Sequence, residues 1–260
     1  MFESRVLGRT GLLVGPIGIS ASYGVPASAV ERAVAAGMNY LYWGSIRRQA
    51  FADALRRLAP RRGSFVLAVQ SYAPFGWSIA RSLERALRDL RFDEADVLLL
   101  GMWNRRPPPR IVEACEALKS RGLVRQIAMS THNRRLVAEM AGSSGIDIFH
   151  LRYNAAHRGA ESEVFPHLPA VAPPGIVSFT ATSWRQLLDP RRTPPGERTP
   201  TAADCYRFVL SQPAVHVCMT GPSTTEHVEA SLEAARLGPM SEEELAWMRR
   251  VGDAVARKKK

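Results

Sequence analysis

The sequence predicts an α/β protein folded as a (β/α)8 TIM barrel, with an N-terminal β-hairpin and an extra helix at its C-terminus. Three observations carry that expectation. Eight short apolar runs alternate with eight amphipathic helical patterns. Most of the runs are continuously apolar, as parallel strands covered on both faces must be. The length of 260 residues is that at which such a barrel closes as one domain.

Taken in order, Val6 to Leu12 with Val14 reads as a short hairpin leading into the first strand, PIGIS from Pro16. Further strands are predicted to begin near Tyr40 (YLYW), Phe65 (FVLAVQ), Val97 (VLLLG), Arg125 (RQIAMS), Ile146 (IDIFHL), Ile176 (IVSFTA) and His216 (HVCMTG). Between them the apolar spacing predicts helices. Ser28–Ala36 stops at Gly37, Ala50–Leu58 stops before Pro60, and Ser78–Leu90 places Ile79, Leu83, Ala86, Leu87 and Leu90 on one face. Pro109–Ser120 opens on a proline, whose missing N–H costs nothing at a helix start. Arg134–Ala141, Ser162–Leu168, Ala202–Leu210 and Thr225–Ala235 complete the set. The extra helix, Ser241–Ala256, begins with a capping box in which Ser241 precedes Glu244. The polar, proline-rich stretch Asp189–Pro200 falls between the seventh strand and its helix, so it is expected as a loop on the catalytic face. Residues 1–260 are expected to form a single domain, with 257–260 as a flexible basic tail.

Composition narrows the function. No apolar run approaches the roughly 18 residues of a membrane span, and the opening residues lack the apolar core of a signal peptide. Three scattered cysteines, Cys115, Cys205 and Cys218, suit a reducing compartment, and a cytoplasmic address is expected. They form no CxxC pair, and no histidine–acid spacing suggests a metal site. The net charge of +11 includes four charges from Arg257 to Lys260. The rest is spread without a basic stripe, which argues against nucleic acid and for a small-molecule partner.

Motifs carry the argument further. Val6-Leu7-Gly8-Arg9-Thr10-Gly11-Leu12, Gly37-Met38-Asn39-Tyr40, Ser82-Leu83-Glu84-Arg85, Asp96 to Leu100, Gly122-Leu123-Val124-Arg125, Tyr153-Asn154 and Gly221-Pro222-Ser223 occur in that order beside the predicted strands. Together they resemble the aldo-keto reductase superfamily. The resemblance implies a nicotinamide cofactor and carbonyl chemistry at the C-terminal rim, performed in the family by an Asp, Tyr, Lys and His tetrad. At those four positions this sequence carries Tyr42, Arg47, Gln70 and Gly101, and no lysine lies between Met1 and Leu118. A divergent member lacking the tetrad is implied.

On the cofactor side the resemblance implies Ser130 at the carboxamide and His150 where a glutamine is usual. It also implies Phe179 stacked on the nicotinamide with Thr180 beside it, and Gly221, Ser223 and Thr224 at the phosphates with Ser231 near the adenine. Lysine and arginine are absent from Val217 to Ala235, leaving NADP against NAD open. Tyr42, His150 and His132 are the candidate acid–base groups. Tyr42 is either a substitute proton donor or an aromatic filling a vacated pocket. Arg47, Gln70, Trp103 and Asn154 are the candidate substrate contacts, with Trp103 roofing space that the missing imidazole leaves. Arg152, Arg158 and Arg185 add an anion-friendly set. The expected function is an atypical nicotinamide-dependent oxidoreductase. The alternatives are a non-redox enzyme of elimination, isomerisation or cyclisation type, and a silent ligand- or nucleotide-binding barrel.

Overall fold

The computed structural model describes residues 1–44, 46–142 and 145–257. A two-stranded antiparallel hairpin, β1 (Arg5–Val6) and β2 (Leu13–Val14), precedes the barrel. Eight parallel strands then close on themselves: β3 (Ile17–Ser20), β4 (Tyr40–Trp43), β5 (Val66–Ser71), β6 (Ala95–Leu100), β7 (Val124–Thr131), β8 (Ile148–Arg152), β9 (Gly175–Phe179) and β10 (Val217–Thr220). The seam joins β10 to β3, with Cys218 opposite Ile17 and Thr220 opposite Ile19. The predicted fold is the observed one.

Outside the barrel lie α1 (Ala27–Ala35), α2 (Gln49–Leu58), α3 (Gly76–Leu90), α4 (Pro109–Ser120), α5 (Arg134–Met140), α6 (Ala160–Glu163), α7 (Ala202–Leu210) and α8 (Thr225–Leu237). The C-terminal α9 (Glu242–Arg257) follows, capped by Ser241 and Glu244 as predicted. The sixth helix departs from the prediction. It is a single short turn, broken at Val164 (φ −126°) and resumed as a 3-10 turn over Phe165–His167. Pro166 lacks the N–H that a continuous helix needs there. Of the basic tail expected at 257–260, Arg257 closes α9, and residues 258–260 lie outside the described residues. No helix of the described chain is long and apolar enough to cross a membrane.

Two apolar layers result. Leu7, Leu12 and Val14 of the hairpin join Tyr40, Val66, Val97, Leu99, Ile148, Val177 and Val217 inside the barrel, so the hairpin plugs its N-terminal end. Gly8 makes the plug possible. Its φ is +53°, and a Cβ there would lie 2.3 Å from the Gly175 backbone nitrogen at the start of β9. Arg9 fastens the plug by donating to the Ala141, Gly142 and Ile146 carbonyls at 2.6–3.1 Å. The larger outer layer packs helices on strands, including Ile79, Leu83, Ala86, Leu87 and Leu90 of α3. α9 lies across the loops that follow β8 and β9. Arg158 reaches Asp253, Trp247 Nε1 donates to the Arg198 carbonyl, and Gly252 brings its backbone against Ala155.

Candidate active site

Strand alternation turns every second residue into the barrel. The lower inward positions are apolar, and the upper ones change character. Tyr42 follows Tyr40, Gln70 follows Ala68, Gly101 follows Leu99, Ser130 follows Ala128, His150 and Arg152 follow Ile148, and Phe179 follows Val177. The parity of these six strands thus gathers the predicted site residues at one mouth, on the C-terminal face.

One side of the mouth is phenolic. The Tyr42 phenol stands beside Tyr72, and its pKa is raised, first by burial and then by the neighbouring Tyr72 and Tyr23 phenols. Tyr72 also fills the space over Gly101, where a Cβ would meet its ring at 2.6 Å and the Gln70 amide at 2.7 Å. The ring that fills the space over Gly101 is therefore that of Tyr72, and not Trp103, which was expected as its roof. Trp103 packs, partly buried, against the outer apolar layer, its backbone N–H donating to the Ser130 carbonyl at 2.9 Å. Gln70 holds its buried Oε1 without a partner. Arg47, exposed with φ +49°, stands on the loop beyond β4.

The opposite side carries the histidines. His150 is buried, with Nε2 2.9 Å from the Tyr40 hydroxyl, and burial holds its pKa down to about 3. It is a neutral group below the mouth. His132 stands at the rim with its ring edge-on to Phe179, centroids 5.6 Å apart. Partial burial, and then the Arg152 charge, lower its pKa. Arg152 lies opposite Phe179 in the β8–β9 register, keeps a buried Nε without a partner, and makes no ion pair among the described residues. Ser130 is buried, its Oγ accepting the Met102 N–H at 2.8 Å, which leaves its own proton to donate.

Several predicted residues brace the mouth from behind. Asn154 is wholly buried: its amide nitrogen donates to the Thr180 carbonyl at 2.8 Å, and its oxygen accepts from the Ala156 N–H. It fixes Thr180, held at φ +58°, and is not presented to a substrate. Ser231 is likewise fully buried on the inner face of α8, its hydroxyl donating to the His227 carbonyl, so an adenine on the helix surface does not meet it. Arg158 is committed to Asp253 and the Ala155 carbonyl. The lone body lysine, Lys119, pairs with Asp147 at the opposite end of the barrel.

Gly221, Ser223 and Thr224 are exposed at the start of α8, where Thr224 caps the helix by accepting the His227 N–H. Tyr23 lies over Gly221, its ring 2.3 Å from where a Cβ would be. Sequence reasoning missed Tyr23, Tyr72 and Asn104. Asn104 Oδ1 accepts from Thr131 Oγ1 and the His132 N–H, tying the loops after β6 and β7 together. Its signal was an asparagine three residues past a strand-ending glycine. The two tyrosines follow strand ends, and only the fold shows that they converge. The loop after β9 is strained: Ser183, Trp184 and Arg185 all have φ between +51° and +66°.

A family model described as the Aldo/keto reductase family matches residues 27–178. Among solved structures, the holo and apo forms of an aldo-keto reductase from Bacillus halodurans are 23% and 24% identical to this chain, with TM-scores of 0.78 and 0.77. Each alignment covers 98% of this chain and 97% of that one. An aldo/keto reductase from Klebsiella pneumoniae, in complex with NADP and acetate, is 19% identical with a TM-score of 0.76, over 95% of both chains. No curated protein sequence matches the chain. At these identities the structural likeness establishes a common fold.

Proposed function

Because the chain belongs to the aldo/keto reductase family, we propose that it is a nicotinamide-dependent oxidoreductase whose mouth handles protons without the family's tetrad. One observation carries this reading. Phe179 and Ser130 stand at the ends of β9 and β7 on the rim that also bears the N-terminal turn of α8. The Klebsiella pneumoniae neighbour's complex with NADP supports the cofactor class.

The residues fit a dinucleotide in part. Phe179 offers a half-buried ring for stacking, Ser130 a hydroxyl donor for a carboxamide, and Ser223 and Thr224 exposed groups beside helix amides suited to phosphate. Ser231 does not fit an adenine contact, and Tyr23 has to swing off Gly221 for phosphates to approach the turn. When bound, the nicotinamide supplies hydride. The chain's own part is proton handling and orientation. Tyr42 remains protonated and points a phenol into the mouth, and Tyr72, exposed beyond it, links that proton to water. His132, held neutral, accepts hydrogen bonds at the rim, and Gln70 Oε1 offers an unfilled acceptor. His150 is too deep to meet a substrate and instead sets the floor through Tyr40.

This set is weaker than a phenol activated by a cation, because nothing beside Tyr42 lowers its pKa. General acid assistance is worth roughly 100- to 10,000-fold, so simple aldehydes such as 4-nitrobenzaldehyde are expected to turn over slowly. The same raised phenol favours, as a second reading, a barrel that binds a dinucleotide without turnover. Fluorescence titration with NADPH and NADH tests the proposal. Binding of both is expected, with preference for NADPH below about tenfold because α8 carries no cation in its first turns. Phe179→Ala should weaken both, and Ser223→Ala should do so modestly. Folded protein that binds neither dinucleotide at millimolar concentration would overturn the oxidoreductase reading.

A further inference from the structure

Outside the barrel wall, between α2 and the end of α3, lies a cavity of about 430 Å³ remote from the mouth. Trp43 forms its floor. It is the outward-facing neighbour of Tyr42 on β4, 3% exposed, with the Arg48 guanidinium 4.7 Å from its ring centroid. Four arginines line the cavity: Arg48, Arg56, Arg88 and Arg91. Arg48 reaches Asp89 at 3.7 Å, and Arg56 pairs with Asp53 at 2.8 Å. Arg88 and Arg91 make no ion pair among the described residues. Four guanidiniums thus face two carboxylates.

An ordinary surface reading, arginines complementing the C-terminal end of α3, explains the last two. It leaves two other facts unexplained. The Trp43 indole Nε1–H and the Arg56 Nε–H are both buried, and neither has a hydrogen-bond partner. Buried donors in native folds are almost always satisfied, and here both belong to residues lining one cationic cavity. We propose that this groove binds a small oxyanion with two phosphoryl groups, held by the arginine guanidiniums and the Trp43 indole N–H. A diphosphate supplies acceptors in several directions, and its charge offsets the unpaired guanidiniums. The lining offers almost no apolar surface, so the ligand carries no ring. Because Trp43 and Tyr42 point to opposite sides of the barrel wall, occupancy here is independent of any dinucleotide in the mouth.

Calorimetry with inorganic pyrophosphate on the full chain, joined to nitrogen-15 spectra of the five indole N–H groups, tests this. Saturable binding should shift one indole resonance, the one that Trp43→Phe removes. The exposed double variant Arg88→Ala with Arg91→Ala should weaken binding about tenfold or more. Arg81→Ala with Arg85→Ala, which removes equal charge earlier on α3, should change it by less than about twofold. Saturating NADPH should leave the affinity unchanged. The proposal is overturned by absence of saturable binding, by equal weakening in both double variants, or by competition from NADPH, which would place the anion in the mouth. ADP binding more tightly than pyrophosphate, with the same sensitivity to Arg88 and Arg91, would overturn the assignment to a ring-free ligand.

Discussion

His150 shows how one residue couples site to stability. Folded, its pKa is held near 3 by burial, against about 6.5 in an unfolded chain. Below about pH 6.5 the unfolded state therefore takes up a proton that the folded state refuses, and stability falls as pH falls. The contribution is complete above the unfolded value and drains away toward the folded one, with roughly 2 kcal/mol of it lost by pH 5. His216, lowered to about 4 mainly by burial, acts in the same direction. Denaturant midpoints measured from pH 7 to pH 4.5 should decline, and His150→Gln should flatten that slope. An unchanged slope in the variant would show that His150 is not the titrating group. The identity of His150 as a mouth-side residue was legible from its place at a strand end. Its depth was not, because the partner that makes it a floor, Tyr40, lies 110 residues away. Asn154 and Ser231 failed to reach the mouth for the same reason: a motif fixes a position along the chain, and burial depends on neighbours from elsewhere.

At the scale of elements, the barrel strands were legible because burial on both faces writes them as unbroken apolar runs. Val97–Leu100 is a clear case, with all four residues at most 1% exposed. Helix ends were legible where a proline or a capping box marked them, as at Pro109 and Ser241. The sixth helix was misjudged because its apolar spacing continues past Pro166, where the hydrogen bonds cannot. The docking of α9 left no sequence signal at all, and Gly252 is where it is most exacting. Alanine at a helical glycine ordinarily gains about 1 kcal/mol. Here the added Cβ would stand 2.1 Å from the Ala155 carbonyl oxygen, and backbone cannot rotate aside as a side chain can. Overpacking of this kind costs about 1–3 kcal/mol, so Gly252→Ala should lower Tm despite the better helix former. Hydrogen exchange should quicken in the loops after β8 and β9, where Asn154 and Thr180 sit. A raised Tm would mean that α9 shifts freely.

At the scale of the whole molecule, the two strands that seal the ring, β3 and β10, are among the most distant in sequence. Thr220 Oγ1 donates to the Gly18 carbonyl across 202 residues. Contacts of such separation are entropically late and slow to form. A chain ending at Ala214, which retains seven of the eight barrel strands, should be open to proteolysis and lack near-ultraviolet circular dichroism, while the full chain resists and shows it. A truncated chain melting at the full-length Tm would contradict this. For synthesis the seam sets an order of events. β3 can pair with its successor as soon as β4 is made, and then keeps its other edge bare until β10, about 200 residues later, has left the ribosome. Unpaired strand edges of that kind invite association with other chains, so yield in the cell should depend more on what shelters this one edge during translation than on the stability of the finished barrel.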